Sequence, residues 1–142
     1  MTTYDRALVW FRRDLRCFDH AALHHALNSA RQVFCVFIFD KDILSPLLAH
    51  GSTDRRVAFI HASLLELDAE LKQHGGGLIV QHAHASEAIP ALAQTLRVNV
   101  VFCNHDYEPY AEQRDRHVAQ ALSQQPCAFL SFKDQVIFEK EE

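Results

Sequence analysis

Apolar positions fall along the chain in five short runs, and between the runs they recur every three or four residues. Ala7-Leu8-Val9-Trp10-Phe11 and Val33-Phe34-Cys35-Val36-Phe37-Ile38-Phe39 are continuous and rich in β-branched and aromatic side chains. A strand covered on both faces reads this way, because neither side of its pleat meets water. Leu78-Ile79-Val80, the stretch from Val98 to Cys103 interrupted at Asn99, and Ala128-Phe129-Leu130 are three more of the kind. Val57, Ile60, Leu64, Leu67 and Leu71 are spaced to share one face of a helix, with Asp54 placed to cap its start and Gly75-Gly76-Gly77 to end it. Asp19 stands ahead of another helix from Ala21 to Ala30, and Ser86 ahead of one from Glu87 to Leu96 with Pro90 in its first turn. Pro109 suits the first position of a further helix that runs to about Leu122. The alternation predicts an α/β fold: a Rossmann-like, doubly wound parallel sheet of five strands with helices on both faces.

Such a sheet takes its ligands outside the carboxyl ends of the strands, near the point where strand order reverses. Arg12-Arg13-Asp14-Leu15-Arg16 follow the first strand, Asp40-Lys41-Asp42 the second, His82 and His84 the third, and Asn104-His105-Asp106-Tyr107-Glu108 the fourth. Some polarity there is unavoidable, since every strand exits into water. Glu108 precedes Pro109 and is biased towards extended backbone, which would set the Asp106 and Glu108 carboxylates on one side with Tyr107 opposite. Two acids aimed together need cations or ligand donors, and Arg12, Arg55 and Arg56 can supply guanidinium forks. The pattern reads either as a ligand site or as an ion-pair network at the mouth of the sheet.

Composition narrows the class. With 142 residues, 49% hydrophobic and 23% charged, the chain is long enough to bury a core and too apolar to be disordered. A net charge of −4 argues against the domain itself gripping duplex DNA, which takes clustered Lys and Arg. Cys17, Cys35, Cys103 and Cys127 form no CxxC pair, and residues 1–6 lack the pattern of a leader. No apolar run approaches the roughly 18 residues of a membrane span. A cytoplasmic, reducing location with no membrane partner is therefore expected. No GxGxxG follows the first strand, and neither GxxxxGK[ST] nor GxSxG occurs, which removes the dinucleotide cradle, the P-loop and the nucleophile elbow. His82 with His84 and Cys103 with His105 match no zinc spacing, so no metal is expected.

Taken together, several segments resemble the DNA photolyase and cryptochrome family. Leu8-Val9-Trp10-Phe11-Arg12-Arg13-Asp14-Leu15-Arg16, followed by Asp19-His20 and Ala22-Leu23, is similar to the family's opening signature. The resemblance continues through Val36-Phe37-Ile38-Phe39-Asp40 with Ile43-Leu44, and through Arg56-Val57-Ala58-Phe59 with Ser63-Leu64. It ends in Asn104-His105-Asp106-Tyr107-Glu108-Pro109-Tyr110 with Arg114-Asp115, so almost the whole chain is covered in order. The resemblance implies the N-terminal α/β antenna domain of a deoxyribodipyrimidine photo-lyase, a light-dependent DNA-repair flavoprotein that splits cyclobutane pyrimidine dimers. On that basis residues 1–132 are the antenna-binding domain and 133–142 begin an interdomain linker. FAD and UV-damaged DNA are then held by a helical C-terminal domain outside this chain, which by itself carries no catalytic residue. A cryptochrome photoreceptor would share the same domain, and a stand-alone nucleotide- or flavin-binding module is a further alternative.

The resemblance also implies a pigment site. In the family this domain helps hold an antenna chromophore, a deazaflavin, a folate or a flavin mononucleotide (FMN), that passes excitation energy to the flavin. Asp106-Tyr107-Glu108-Pro109-Tyr110 resembles the deazaflavin type, with Arg56 nearby, whereas the folate type has an Asn-Glu where this chain has Tyr110-Ala111. The implied cofactor-binding residues are Arg12, Phe37, Asp40, Arg56, Asp106 and Glu108, with Phe37 supplying flat apolar surface and the charged groups orientation. 8-Hydroxy-5-deazaflavin is favoured, with folate and FMN open. The chain is expected to be monomeric, with its single tryptophan, Trp10, in the core.

Overall fold

In the computed structural model, which describes residues 4–12, 20–40, 54–73, 76–104 and 109–132, each apolar run is a strand and each periodic stretch a helix. The order is β1 (Tyr4–Phe11), α1 (Ala21–Ser29), β2 (Ala30–Asp40), α2 (Asp54–Gln73), β3 (Leu78–Ala83), α3 (Ala85–Leu96), β4 (Val100–Asn104), α4 (Pro109–Leu122) and β5 (Ala128–Phe132). The strands pair in parallel in the order β3-β2-β1-β4-β5. The chain steps outward from β1 to β3 and then crosses to the other side of β1, which puts the topological switch point between β1 and β4.

Parity along the strands sorts the core into two layers. Ala7, Val9 and Phe11 pack with Cys35, Val100 and Phe102 against α1 and α2, through Ala22, Leu23, Ala26, Leu67 and Leu71. Leu8 and Trp10 pack with Val36, Ile38, Val101 and Cys103 against α3 and α4, through Ala88, Ile89, Ala93, Val118 and Leu122. Ala7 to Phe11 are at most 2% exposed, which explains a run with no polar position. The expected fold class is the one found, and Trp10 is a core residue. Among the described residues no helix is long and apolar enough to cross a membrane. Cys35 and Cys103 are buried, and burial pushes the Cys127 thiol up from 9.0 to about 11.

The helix ends differ from expectation in instructive ways. The N-cap of α1 is His20, whose Nδ1 accepts from the Leu23 amide at 3.1 Å. Asp19, the expected cap, lies outside the described residues. Helix α3 begins two residues earlier than expected, with His84 at its N-cap and no side-chain cap bond. Pro90 therefore stands past the first turn, inside the helix, where its ring removes the amide that would have bonded the Ser86 carbonyl. The Pro90 carbonyl accepts from Gln125 Nε2 at 3.1 Å. Asn99, expected as a break within a strand, precedes β4 and takes the amides of Asp5 and Arg6 on its Oδ1 at 3.1 and 3.0 Å. Beyond α2 the Gly76 amide closes on the Leu71 carbonyl at 2.8 Å. Asp68 then receives the first amide of β3, from Leu78, at 2.9 Å and the Lys72 ammonium at 3.0 Å. Those two contacts, Lys72 foremost, hold the Asp68 carboxyl below its ordinary 3.8.

Candidate functional site

The carboxyl edge of the sheet has two differently built ends. At the β1–β4 junction, Arg12 follows the last residue of β1 and is 8% exposed. Parity sends its side chain to the α4 side, where Nη1 meets Asp115 Oδ1 at 2.5 Å and Nη2 donates to the Asn104 carbonyl. Arg114 lies on the same carboxylate oxygen through Nε at 3.5 Å. Both guanidinium carbons sit over the Trp10 ring, at 4.8 Å for Arg12 and 4.9 Å for Arg114, so the indole offers its electron-rich face to two cations. The Asn104 side chain turns to the opposite helix layer, and its Oδ1 accepts from the Ala22 amide at 2.9 Å. With His20 on Leu23, the first turn of α1 has two of its amides met by the protein's own acceptors.

At the β2–β3 end the material is aromatic. Phe37 and Phe39 lie on the α2 side, packed with Leu64 and Ile60. Phe37 meets Phe39 edge-on, at 5.0 Å and 85°. Phe39 is flanked by His61 of α2 at 5.1 Å and stacked with His82 of β3 at 4.6 Å and 9°. Both imidazoles are exposed, whereas Phe37 and Phe39 are buried. Because β3 is an edge strand, its α2-facing side is only partly covered, and Val80, two residues below His82, is 43% exposed.

The residues expected to form one site are distributed over both ends. Arg12 and Phe37 project from opposite faces of the sheet, since Phe37 pairs in register with Phe11 and not with the Trp10–Arg12 side. Asp40 closes β2, paired with Ala83, and Arg56 falls in the first turn of α2. In a β-α-β crossover the start of that helix lies at the carboxyl edge, so Asp40 and Arg56 share it. Asp106 and Glu108 lie outside the described residues, in the four-residue stretch between β4 and α4. No group of three or more His, Cys, Asp or Glu side chains able to hold a metal stands together among the described residues.

Sequence reasoning missed Asp115 as the acid for Arg12, Asn104 as the acceptor of the Ala22 amide of α1, and the His61–Phe39–His82 tier. Arg114-Asp115 was part of a recognisable motif, but nothing local ties Asp115 to a residue 103 positions earlier.

The DNA photolyase family model matches residues 7–142. A deoxyribodipyrimidine photo-lyase of Synechococcus sp. is 34% identical over 130 residues, covering 92% of this chain and 26% of that protein. A cryptochrome DASH of Natronomonas pharaonis is 34% identical over 122 residues, covering 83% of this chain and 25% of that protein. Among solved structures, the archaeal photolyase from Sulfolobus tokodaii, determined with two FAD molecules and implicating a novel light-harvesting cofactor, superposes with a TM-score of 0.80. It is 30% identical, over 90% of this chain and 29% of the other. The chain spans about a quarter of the length of the curated relatives named here.

Proposed function

This chain belongs to the DNA photolyase family, and from that premise we propose that it is the N-terminal light-harvesting domain of a photolyase. Residues 1–132 hold an antenna pigment, and 133–142 lead towards a helical domain that holds FAD and UV-damaged DNA. The complete protein splits cyclobutane pyrimidine dimers in light, and this domain alone does not. The observation that carries the reading is the near-complete match of the chain to the family model, on a five-stranded parallel sheet.

The donor set suits 8-hydroxy-5-deazaflavin. Asp40 and Arg56 share the edge, and Asp106 and Glu108 stand in sequence just beyond β4. Carboxylates and a guanidinium can meet the pigment's imide N–H, carbonyls and hydroxyl in paired hydrogen bonds. When bound, the pigment absorbs near-ultraviolet or blue light and passes the excitation on. Arg12, committed to Asp115 and Asn104, shapes the rim from within, and Phe37 supports the aromatic tier. Folate and FMN are the competing pigments.

The test is titration of the pigment into the intact protein, followed by absorbance. Arg56→Ala and Asp106→Asn each weaken binding about tenfold, on the order of 1.4 kcal/mol. Unchanged affinity in both variants overturns the pigment site. Light-dependent loss of dimers by the intact protein, with none from the 142-residue chain supplied with FAD, separates a photolyase from a cryptochrome, which the 34% identical cryptochrome DASH keeps as the second reading.

A further inference from the structure

The geometry points to Arg114, together with Arg12, as an electrostatic shield on Trp10: two guanidinium groups over one buried indole make it too poor an electron donor to quench the pigment that this domain carries. This deepens the light-harvesting reading and rests on it. Arg114 acts through Trp10 and not by touching the pigment.

Trp10 is the chain's single tryptophan and is 2% exposed, on the central strand β1. It faces the α4 side of the sheet, where Arg12 follows two residues later and Arg114 comes in from the helix. The guanidinium carbons stand 4.8 Å and 4.9 Å from the ring centroid, and the two side chains are 6% and 11% exposed. Arg12 already has Asp115 at 2.5 Å and the Asn104 carbonyl, so pairing it does not call for Arg114. A second guanidinium set beside the first adds a desolvation cost and a like-charge repulsion that one ion pair would have avoided. Packing the indole needs no charge either, since Phe129 lies against it at 6.4 Å.

Taking an electron from an indole leaves a positive ring. Beside two fixed cations that ring is destabilised, and at a buried site there is little water to screen the repulsion. The same contacts steady the neutral ring, which widens the gap between the two states. Asp115 offsets part of the field, yet removing either guanidinium still makes the ring easier to oxidise. An excited pigment takes an electron far more readily than one at rest, and indole is among the side chains that give one up most easily. One electron passing from Trp10 to the excited pigment leaves an indole radical cation and a pigment radical anion. These recombine as heat before the excitation is handed on. A domain of 142 residues has a radius of gyration of about 14 Å, so a pigment held on it is never far from an indole on the central strand. The two arginines close that leak while the core keeps its tryptophan.

The experiment loads 8-hydroxy-5-deazaflavin into the intact protein with FAD left out, so that no energy acceptor competes. It reads the pigment's fluorescence lifetime and, by transient absorption, its radical anion. Wild type and Trp10→Phe have equal lifetimes, because the shielded indole does not quench. Arg114→Gln shortens the lifetime by about twofold or more and yields the radical anion. Arg114→Lys, which keeps the charge, retains the long lifetime, and adding Trp10→Phe to Arg114→Gln restores it. A structural role for Arg114 would not produce a loss that disappears with the indole. An unshortened lifetime in folded Arg114→Gln protein overturns the shield and leaves the light-harvesting reading standing. If that variant does not fold, the comparison of wild type with Trp10→Phe decides: a shorter wild-type lifetime overturns the shield, and equality supports it. Absence of saturable pigment binding by the unmodified protein, with or without FAD, overturns both the inference and the reading beneath it.

Discussion

The junction of β1 and β4 and the end of β2 and β3 face the same solvent from the same edge, yet one spends its functional groups on itself and the other leaves them outward. The junction sits between the two central strands with helices on both sides, so any charge there is desolvated and must find its partner inside the protein. Arg12 finds Asp115 and Asn104, and Asn104 in turn holds α1. The β2–β3 end lies at a margin, where the edge strand has a neighbouring strand on one side alone. Its rings are buried only as far as Phe39, and the imidazoles beyond remain in water. Polar residues at the carboxyl edge are thus sorted by depth into those that hold the sheet and those that stay in water.

That contrast is broken most directly at Asp115. Asp115→Ala takes a carboxylate from the buried Arg12 guanidinium and costs about 3 kcal/mol in urea unfolding; a loss under about 1 kcal/mol would remove the junction from the list of stability elements. Asn104→Ala leaves the buried Ala22 amide unmet and costs about 2 kcal/mol, read from the same unfolding curves. His82→Ala, at an exposed imidazole, changes unfolding free energy by less than about 0.5 kcal/mol, and a larger loss would make the aromatic end structural as well. The smallest effect belongs to Asp68, which ties α2 to β3 at the other end of that strand. Its carboxyl is held below 3.8 in the folded chain, so its stabilisation is complete above that value and is lost as pH falls through the folded value. The thermal-melt gap between the wild type and Asp68→Asn should therefore be open at pH 7 and close in acid.

Much of the architecture was legible in one dimension. Ala7 to Phe11 and Val33 to Phe39 announce buried strands because burial on both faces marks every residue of a run. The stripe Ile60, Leu64, Leu67, Leu71 announces α2 because one helical face packs and the others do not. Helix starts were less legible: His84 has no side-chain bond to advertise it, and α1 is capped partly by Asn104, a residue 82 positions away from the amide it bonds. Of the expected site residues, Asp40 and Arg56 come to the same edge, while Arg12 and Phe37, which looked like neighbours in function, leave the sheet on opposite sides.

Residue order along the chain was enough to establish the alternation, the parallel α/β class and the family, because each rests on local burial or on a collinear motif. Strand order, the Arg12–Asp115 pairing, the closure of α1 and the imidazole-capped tier on Phe39 were decided in three dimensions. Each joins side chains that are distant along the chain, and no local preference records which acid a buried arginine will meet once the sheet has brought its strands together.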